Sequence, residues 1–217
     1  MIDVRESTDK LKILIVDDSE LNRELLAGML GDEYEIYQVE NGKKAIDILE
    51  ENREQFKLVQ QAAAEIGDDF NIYLGCEFHA NMEMVRMLRE GEIASMAGSR
   101  YVLAEFGGSS EASYIKERLY SLLASGYKPI AAHIERYEAT RSDIDFVEEL
   151  VDMGAYMQIN ADSIIGKEGF GTKRYCKKLM KYDLVHFVGS DCHNLTSRVS
   201  RIGEAYNYVS KKMDEAY

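Results

Sequence analysis

Tryptophan is absent, proline occurs once and cysteine three times among the 217 residues. Cys76, Cys176 and Cys192 form no C-x-x-C pair and no disulfide framework, so they read as reduced thiols. No apolar run approaches the ~18 residues of a membrane span, and the N-terminus lacks the apolar core of a signal peptide. The expectation is a cytoplasmic protein without membrane insertion. Positive charge is scarce: 26 Lys and Arg face 39 Asp and Glu, for a net charge of −13. Such a surface repels nucleic-acid backbones and anionic lipid, and it attracts no phosphorylated ligand either. A phosphate site would need cations of its own. There is no linker and no low-complexity stretch, which argues for one body built on one core.

What is present is alternation. Near-continuous apolar, β-branched runs occur at Lys12–Val16, Glu35–Val39, Asn71–Cys76, Tyr101–Phe106, Pro129–His133, Tyr156–Asn160 and Val185–Ser190. They have the character of parallel strands covered on both faces. Helical stripes lie between them: Leu21, Leu25, Leu26, Met29 and Leu30; Tyr114, Ile115, Leu119, Leu122 and Leu123; Ile144, Val147, Leu150 and Val151. Ser142 and Asp145 have the spacing of a capping box at the start of the last. No helix breaker interrupts residues 42–66, which read as one long helix. Seven βα units imply a parallel sheet with right-handed crossovers, open or closed as a barrel.

In either form chemistry gathers at the C-terminal strand ends. Those ends carry Asp17, Asp18 and Ser19; Glu40 and Asn41; Glu77; Glu105; His133, Glu135 and Arg136; Asn160 and Asp162; Asp191 and His193, with Arg198 beyond. Carboxylates and imidazoles together suit Mn, Fe or Zn. Asp191 and His193 flank Cys192, so an extended segment would point both the same way. Each residue also has an ordinary reading: Asp18 or Ser19 as a helix N-cap, His133 as a hydrogen-bonded core residue. His79 and His186 have no such company, and His186 reads as packing within a strand. Cys192 and Arg198 satisfy C-x5-R, the spacing of a thiolate phosphate cradle, but the loop between them has no glycine.

Two resemblances overlie this pattern. KILIVDDSELNRELLAGML and YEIYQVENGKKAIDIL resemble the first half of a response-regulator receiver domain, a flavodoxin-like fold whose acidic pair binds Mg2+. That pair corresponds to Asp17 and Asp18; the phosphoacceptor strand does not follow. IYLGCE, SRYVLAEF, PIAAHIERY, GAYMQINADSIIG and LVHFVGSDCHNLTSR resemble the PHP (polymerase and histidinol phosphatase) class, in particular its bacterial metal-dependent tyrosine phosphatases. The resemblance implies a (βα)7 barrel-like fold, with residues 1–52 supplying a receiver-like (βα)2 segment and 53–217 a (βα)5 segment of one domain. It implies metal ligands at Glu77, Glu105, His133, Asp191 and His193, and arginines Arg136 and Arg198 holding phosphate. The family's opening HxH pair is replaced by Arg5 and Ser7.

Three functions follow as expectations. The first is a metal-dependent phosphatase acting on a phosphorylated peptide or small phosphomonoester. Its divalent ion would be Mn or Mg, with Fe or Zn as alternatives, and Asp17 and Asp18 would stand in for the missing histidines. The second is a catalytically inactive chimeric scaffold, natural or engineered. The third is a cysteine-dependent phosphatase using Cys192 and Arg198. An unpaired strand edge left by a recombined barrel would favour a homodimer.

Overall fold

The computed structural model describes residues 11–16, 24, 27, 34–39, 56–65, 71–194 and 196–212. The chain divides into two compact units, Met1–Ile72 and Tyr73–Tyr217, a later boundary than the residue 52/53 junction expected from the resemblances. In the first unit, β1 (Leu11–Val16) and β2 (Tyr34–Val39) pair in parallel, from Leu11 opposite Tyr34 to Val16 opposite Val39. Parallel pairing requires a crossover between them, as the alternating pattern predicts. Residues 56–65 form α1, the described part of the long helix expected over 42–66. Asp17 and Asp18, and the variant positions Arg5 and Ser7, lie outside the described residues.

The second unit is a five-stranded parallel sheet in sequence order: β3 (Glu77–His79), β4 (Tyr101–Glu105), β5 (Lys128–Ala131), β6 (Tyr156–Asn160) and β7 (Phe187–Gly189). Among the described residues, the strands of the first unit form a parallel pair and those of the second a five-strand parallel sheet. Sequential order follows from the helices between strands: α2 (Met84–Glu90), α3 (Ala112–Ala124), α4 (Glu138–Ser142), α5 (Ile144–Asp152), α6 (Ala161–Ile165) and α7 (Phe170–Lys181), with α8 (Ile202–Lys212) after β7. β3 begins at Glu77, just after the apolar run Asn71–Cys76, which joins no strand ladder although Leu74 O accepts the Ala97 amide at 2.7 Å.

Apolar stripes dock the helices on the sheet. Ile115, Leu119 and Leu122 of α3, Val147 and Leu150 of α5, and Leu179 of α7 are completely buried. Each such side chain contributes about 1.5–3 kcal/mol. The opposite side of β4 is different: Val102 and Ala104 are buried, while Tyr101, Leu103 and Glu105 are only partly so. That alternation departs from the expectation of cover on both faces, and on the less buried face Leu103 lines a cavity while Glu105 stands at the strand end. The capping residue of α5 is also not the expected one. Asp143 accepts from the Asp145 and Phe146 amides, whereas Ser142 bonds back to Glu138 and Ala139 carbonyls and ends α4. A carboxylate one residue closer to the first turn wins the cap because it reaches two free amides.

Candidate functional site

Parallel strands in this order bring their C-terminal ends into one row. In register, Glu77 pairs with Leu103 and His79 with Glu105, and Ala104 with Ala131. Glu77, Glu105 and His133 converge there: His133 Nε2 is 3.1 Å from a carboxylate oxygen of each glutamate. One donor atom from each of the three lies within 4.8 Å of the others. His79 belongs to the same rim, with Nδ1 3.9 Å from Glu105 Oε2. Its parity with Glu77 along the strand was the available signal, and the sequence reading passed it over.

His133 reaches this position through an uncommon backbone. Its φ is +31°, left-handed, in a residue without glycine's freedom. Two neighbours impose it. Gln158 Oε1 accepts the His133 amide at 2.6 Å. The Tyr137 hydroxyl donates to Ala132 O at 2.6 Å and accepts from Phe106 N at 3.0 Å, tying together the two strand ends that carry His133 and Glu105. Burial alone would lower the imidazole pKa, and Arg136 also opposes protonation. The Glu77 hydrogen bond and the charges of Glu77 and Glu105 outweigh both, so the pKa stands above its usual value. Two carboxylates aimed at one imidazole nitrogen form a set short of positive charge. Oxygen plus imidazole donors suit a divalent Mn, Fe or Zn ion, and the residues fit such a group.

A second cluster adjoins the first. Asp191 Oδ2 accepts from Arg136 Nη1 at 2.9 Å, Arg198 Nη2 at 2.7 Å and Asn160 Nδ2 at 2.9 Å. Burial would raise the Asp191 pKa, but Arg198 and Arg136 hold it below the usual carboxylate value. Asp191 too is left-handed, with φ +49°, so the segment is not the extended one expected from Asp191-Cys192-His193. His193 turns back toward its neighbour: its Nδ1 is 3.1 Å from Asp191 O and 3.6 Å from Asp191 Oδ1. His193 therefore stands beside Asp191 and apart from the triad. Asp191 lines two cavities, one of ≈ 240 Å³ with Glu77 and His133, the other of ≈ 220 Å³ with Arg136 and Arg198.

Buried polar groups support this second cluster. Glu135 is fully buried; its Oε1 accepts from Asn160 N at 3.0 Å and Ser163 Oγ at 2.7 Å, and burial raises its pKa. Asp162, expected at the same rim, pairs with Arg201 at 2.8 Å. His186 has the structural role expected of it: its Nδ1 accepts from Met157 N at 3.1 Å and its ring packs edge-on against Tyr156. Sequence reading missed Tyr137, Gln158, Ser163 and Glu168, because nothing local distinguishes a hydroxyl or amide that braces a strand end from one that does not.

The loop amides also test the C-x5-R reading. A thiolate cradle aims them at phosphate. Here Thr196, Ser197 and Arg198 donate theirs to Asn194 Oδ1 at 3.0, 2.8 and 2.9 Å, and His193 donates to Arg198 O at 3.0 Å. With those donors spent inside the loop, its described residues do not form a thiolate cradle.

Comparison with known proteins reaches the same rim. The family model for capsular polysaccharide synthesis, CpsB/CapC, matches residues 39–217. The tyrosine-protein phosphatase CpsB of Streptococcus pneumoniae is 35% identical over 209 residues, covering 91% of this chain and 86% of its own. The tyrosine-protein phosphatase YwqE of Bacillus subtilis is 31% identical over 138 residues, 64% of this chain and 54% of its own. A chain from the crystal structures of YwqE and S. pneumoniae CpsB, described as metal-dependent tyrosine phosphatases, superposes with a TM-score of 0.64 at 25% identity. That match spans 90% of this chain and 82% of the other. An alignment over 91% of the chain must enter the segment read as receiver-like, and the family match itself begins inside it. The phosphatase resemblance therefore extends further toward the N-terminus than its motifs indicated, and no receiver domain is needed to account for that stretch.

Proposed function

The chain belongs to the CpsB/CapC capsular polysaccharide synthesis family, and on that premise we propose that it hydrolyses phosphotyrosine in proteins as a metal-dependent phosphatase. One observation carries the reading: a carboxylate–imidazole set suited to a cation and a pair of arginines suited to an oxyanion abut, with Asp191 in the wall of both cavities. Glu77, Glu105 and His133 would hold a divalent ion, Mn or Mg with Fe or Zn as alternatives; Asp191, in the wall of the same cavity, would be a further ligand, and His193 would join only by turning from its place beside Asp191. When bound, such an ion lowers the pKa of water and offsets charge on phosphoryl oxygens.

The chain's own residues do the rest. Arg136 and Arg198 receive the phosphate oxygens; their planar guanidiniums match a phosphate's edge and remain charged at any working pH. Asp191 orients both arginines, and Asn160 fixes Asp191. Tyr137 and Gln158 keep the His133 ring where Glu77 and Glu105 meet it. The relatives' names supply the substrate class, a phosphorylated tyrosine in a protein; a small aryl phosphate would fit the same arginines.

The test is hydrolysis of p-nitrophenyl phosphate and of a tyrosine-phosphorylated peptide, with Mn2+ and with chelator. Metal-dependent turnover is the expected result. A protein that binds Mn2+ but turns over neither substrate would instead support the inactive-scaffold reading, for which the replaced histidines at Arg5 and Ser7 are the motive. Asp17 and Asp18 enter as candidate substitutes for those histidines. Alanine at both with unchanged Mn2+ affinity would remove them from the site.

A further inference from the structure

The loop between α6 and α7 carries a carboxylate that the phosphatase reading leaves unused. Glu168 Oε1 lies 2.6 Å from Arg136 Nη2, and Glu168 Oε2 accepts from Ser163 Oγ at 3.1 Å. Gly166 and Gly169 bracket Lys167 and Glu168 with φ of +93° and +99°, so the segment turns on two residues with wide backbone freedom. Glu168 is also in the wall of the ≈ 220 Å³ cavity beside Arg136, Arg198, Asp191 and Asp162, the last paired with Arg201. The formal charges of these three arginines and three carboxylates cancel. As it stands, the pocket offers a dianion no net attraction.

Two effects of Glu168 oppose each other. It restrains Arg136, which saves side-chain entropy when a ligand binds. It also places a negative charge on the guanidinium that a phosphate must reach. Repulsion between a carboxylate and a dianion a few ångströms apart exceeds the rotamer entropy of one arginine even at an effective dielectric of ~20. The repulsive effect therefore wins.

We infer that Glu168 is an internal competitor for phosphate at Arg136: an affinity-setting residue that keeps the anion pocket weak and lets inorganic phosphate leave. The substrate phosphate takes the place of the Glu168 carboxylate on Arg136 Nη2, and the carboxylate returns when the product departs. No covalent bond changes. The inference rests on the reading that Arg136 and Arg198 receive phosphate.

The experiment is calorimetric titration of inorganic phosphate into the full chain with Mn2+, alongside p-nitrophenyl phosphate kinetics. Glu168→Gln keeps the shape and removes the charge. Phosphate Kd and KM should both fall about tenfold, with no rise in kcat. Glu168→Ala should shift them in the same direction. Glu138→Gln removes an equal charge two residues from Arg136 and should leave both values within about twofold, since exposed charges are screened. Unchanged or weaker phosphate binding in both Glu168 variants overturns the inference and makes Glu168 a positioning residue. If Arg136→Ala leaves the parent's phosphate affinity intact, the phosphate-site reading itself fails. A Glu168 effect that Arg136→Ala abolishes separates the two.

Discussion

The Glu77–Glu105–His133 triad and the Arg136–Arg198–Asp191 cluster stand on one row of strand ends, yet they carry opposite deficits. The triad gathers two carboxylates on one imidazole and lacks positive charge. The neighbouring cluster gathers two arginines on Asp191, an excess of positive charge that Glu168 on Arg136 offsets. Each turns on a non-glycine residue with positive φ, His133 or Asp191. The same backbone device serves both; the ratio of carboxylates to cations around it decides whether the place suits a metal or an oxyanion. An acidic chain needs that segregation, because its average surface repels phosphate.

The largest break in this comparison is His133→Ala. It removes the only nitrogen donor of the triad, and Mn2+ affinity and aryl phosphate hydrolysis should each drop by at least about a hundredfold, beyond what outer-shell changes usually cost. Calorimetry and steady-state kinetics check it; retained affinity would move the metal elsewhere. Arg136→Ala should act on the other side alone. KM should rise about 10–100-fold, the worth of a charged hydrogen bond, with Mn2+ affinity little changed. Arg136→Lys should restore only part of the loss, because an ammonium cannot make the paired contacts of a guanidinium.

Gly189→Ala probes the brace between the two regions. A Cβ at Gly189 would come within 2.4 Å of Gln158 Nε2, and Gln158 holds the His133 amide. Overpacking there should cost about 1–3 kcal/mol, read as a lower melting temperature, together with weaker Mn2+ binding.

The smallest effect is in pH. Metal requires neutral imidazole, and the His133 pKa lies above 6.5. Mn2+ affinity should therefore begin to fall, as pH decreases, at a higher pH than an unperturbed histidine would give. Titration at stepped pH tests this. In metal-free protein the sign reverses: the raised pKa contributes stability below 6.5 that is lost as pH rises through the folded-state value. The lowered pKa of Asp191 contributes stability above the ordinary carboxylate range and loses it as pH falls through the depressed value. Acid melting curves of the parent and Asp191→Asn should converge at low pH.

Much of the fold was legible because periodicity is local. β6 occupies the residues read as a strand, and β4, β5 and α5 lie within a residue or two of their expected runs. Errors arose where a long-range partner decided the outcome. β3 starts after its apolar run because Glu77, Phe78 and His79 are the residues that find partners on β4. The site was half legible. Glu77, Glu105 and His133 meet as the resemblance implied, while His193 turns to Asp191 and Glu168, unremarked in the sequence, takes hold of Arg136.

The sequence by itself determined the alternation of strand and helix and the residue types at each strand end, since both depend on spacing along the chain. Only the tertiary structure decided which of those residues touch. Register between strands, the left-handed turns at His133 and Asp191, and the braces from Gln158 and Tyr137 are set by packing between segments distant in sequence, where no local pattern records them.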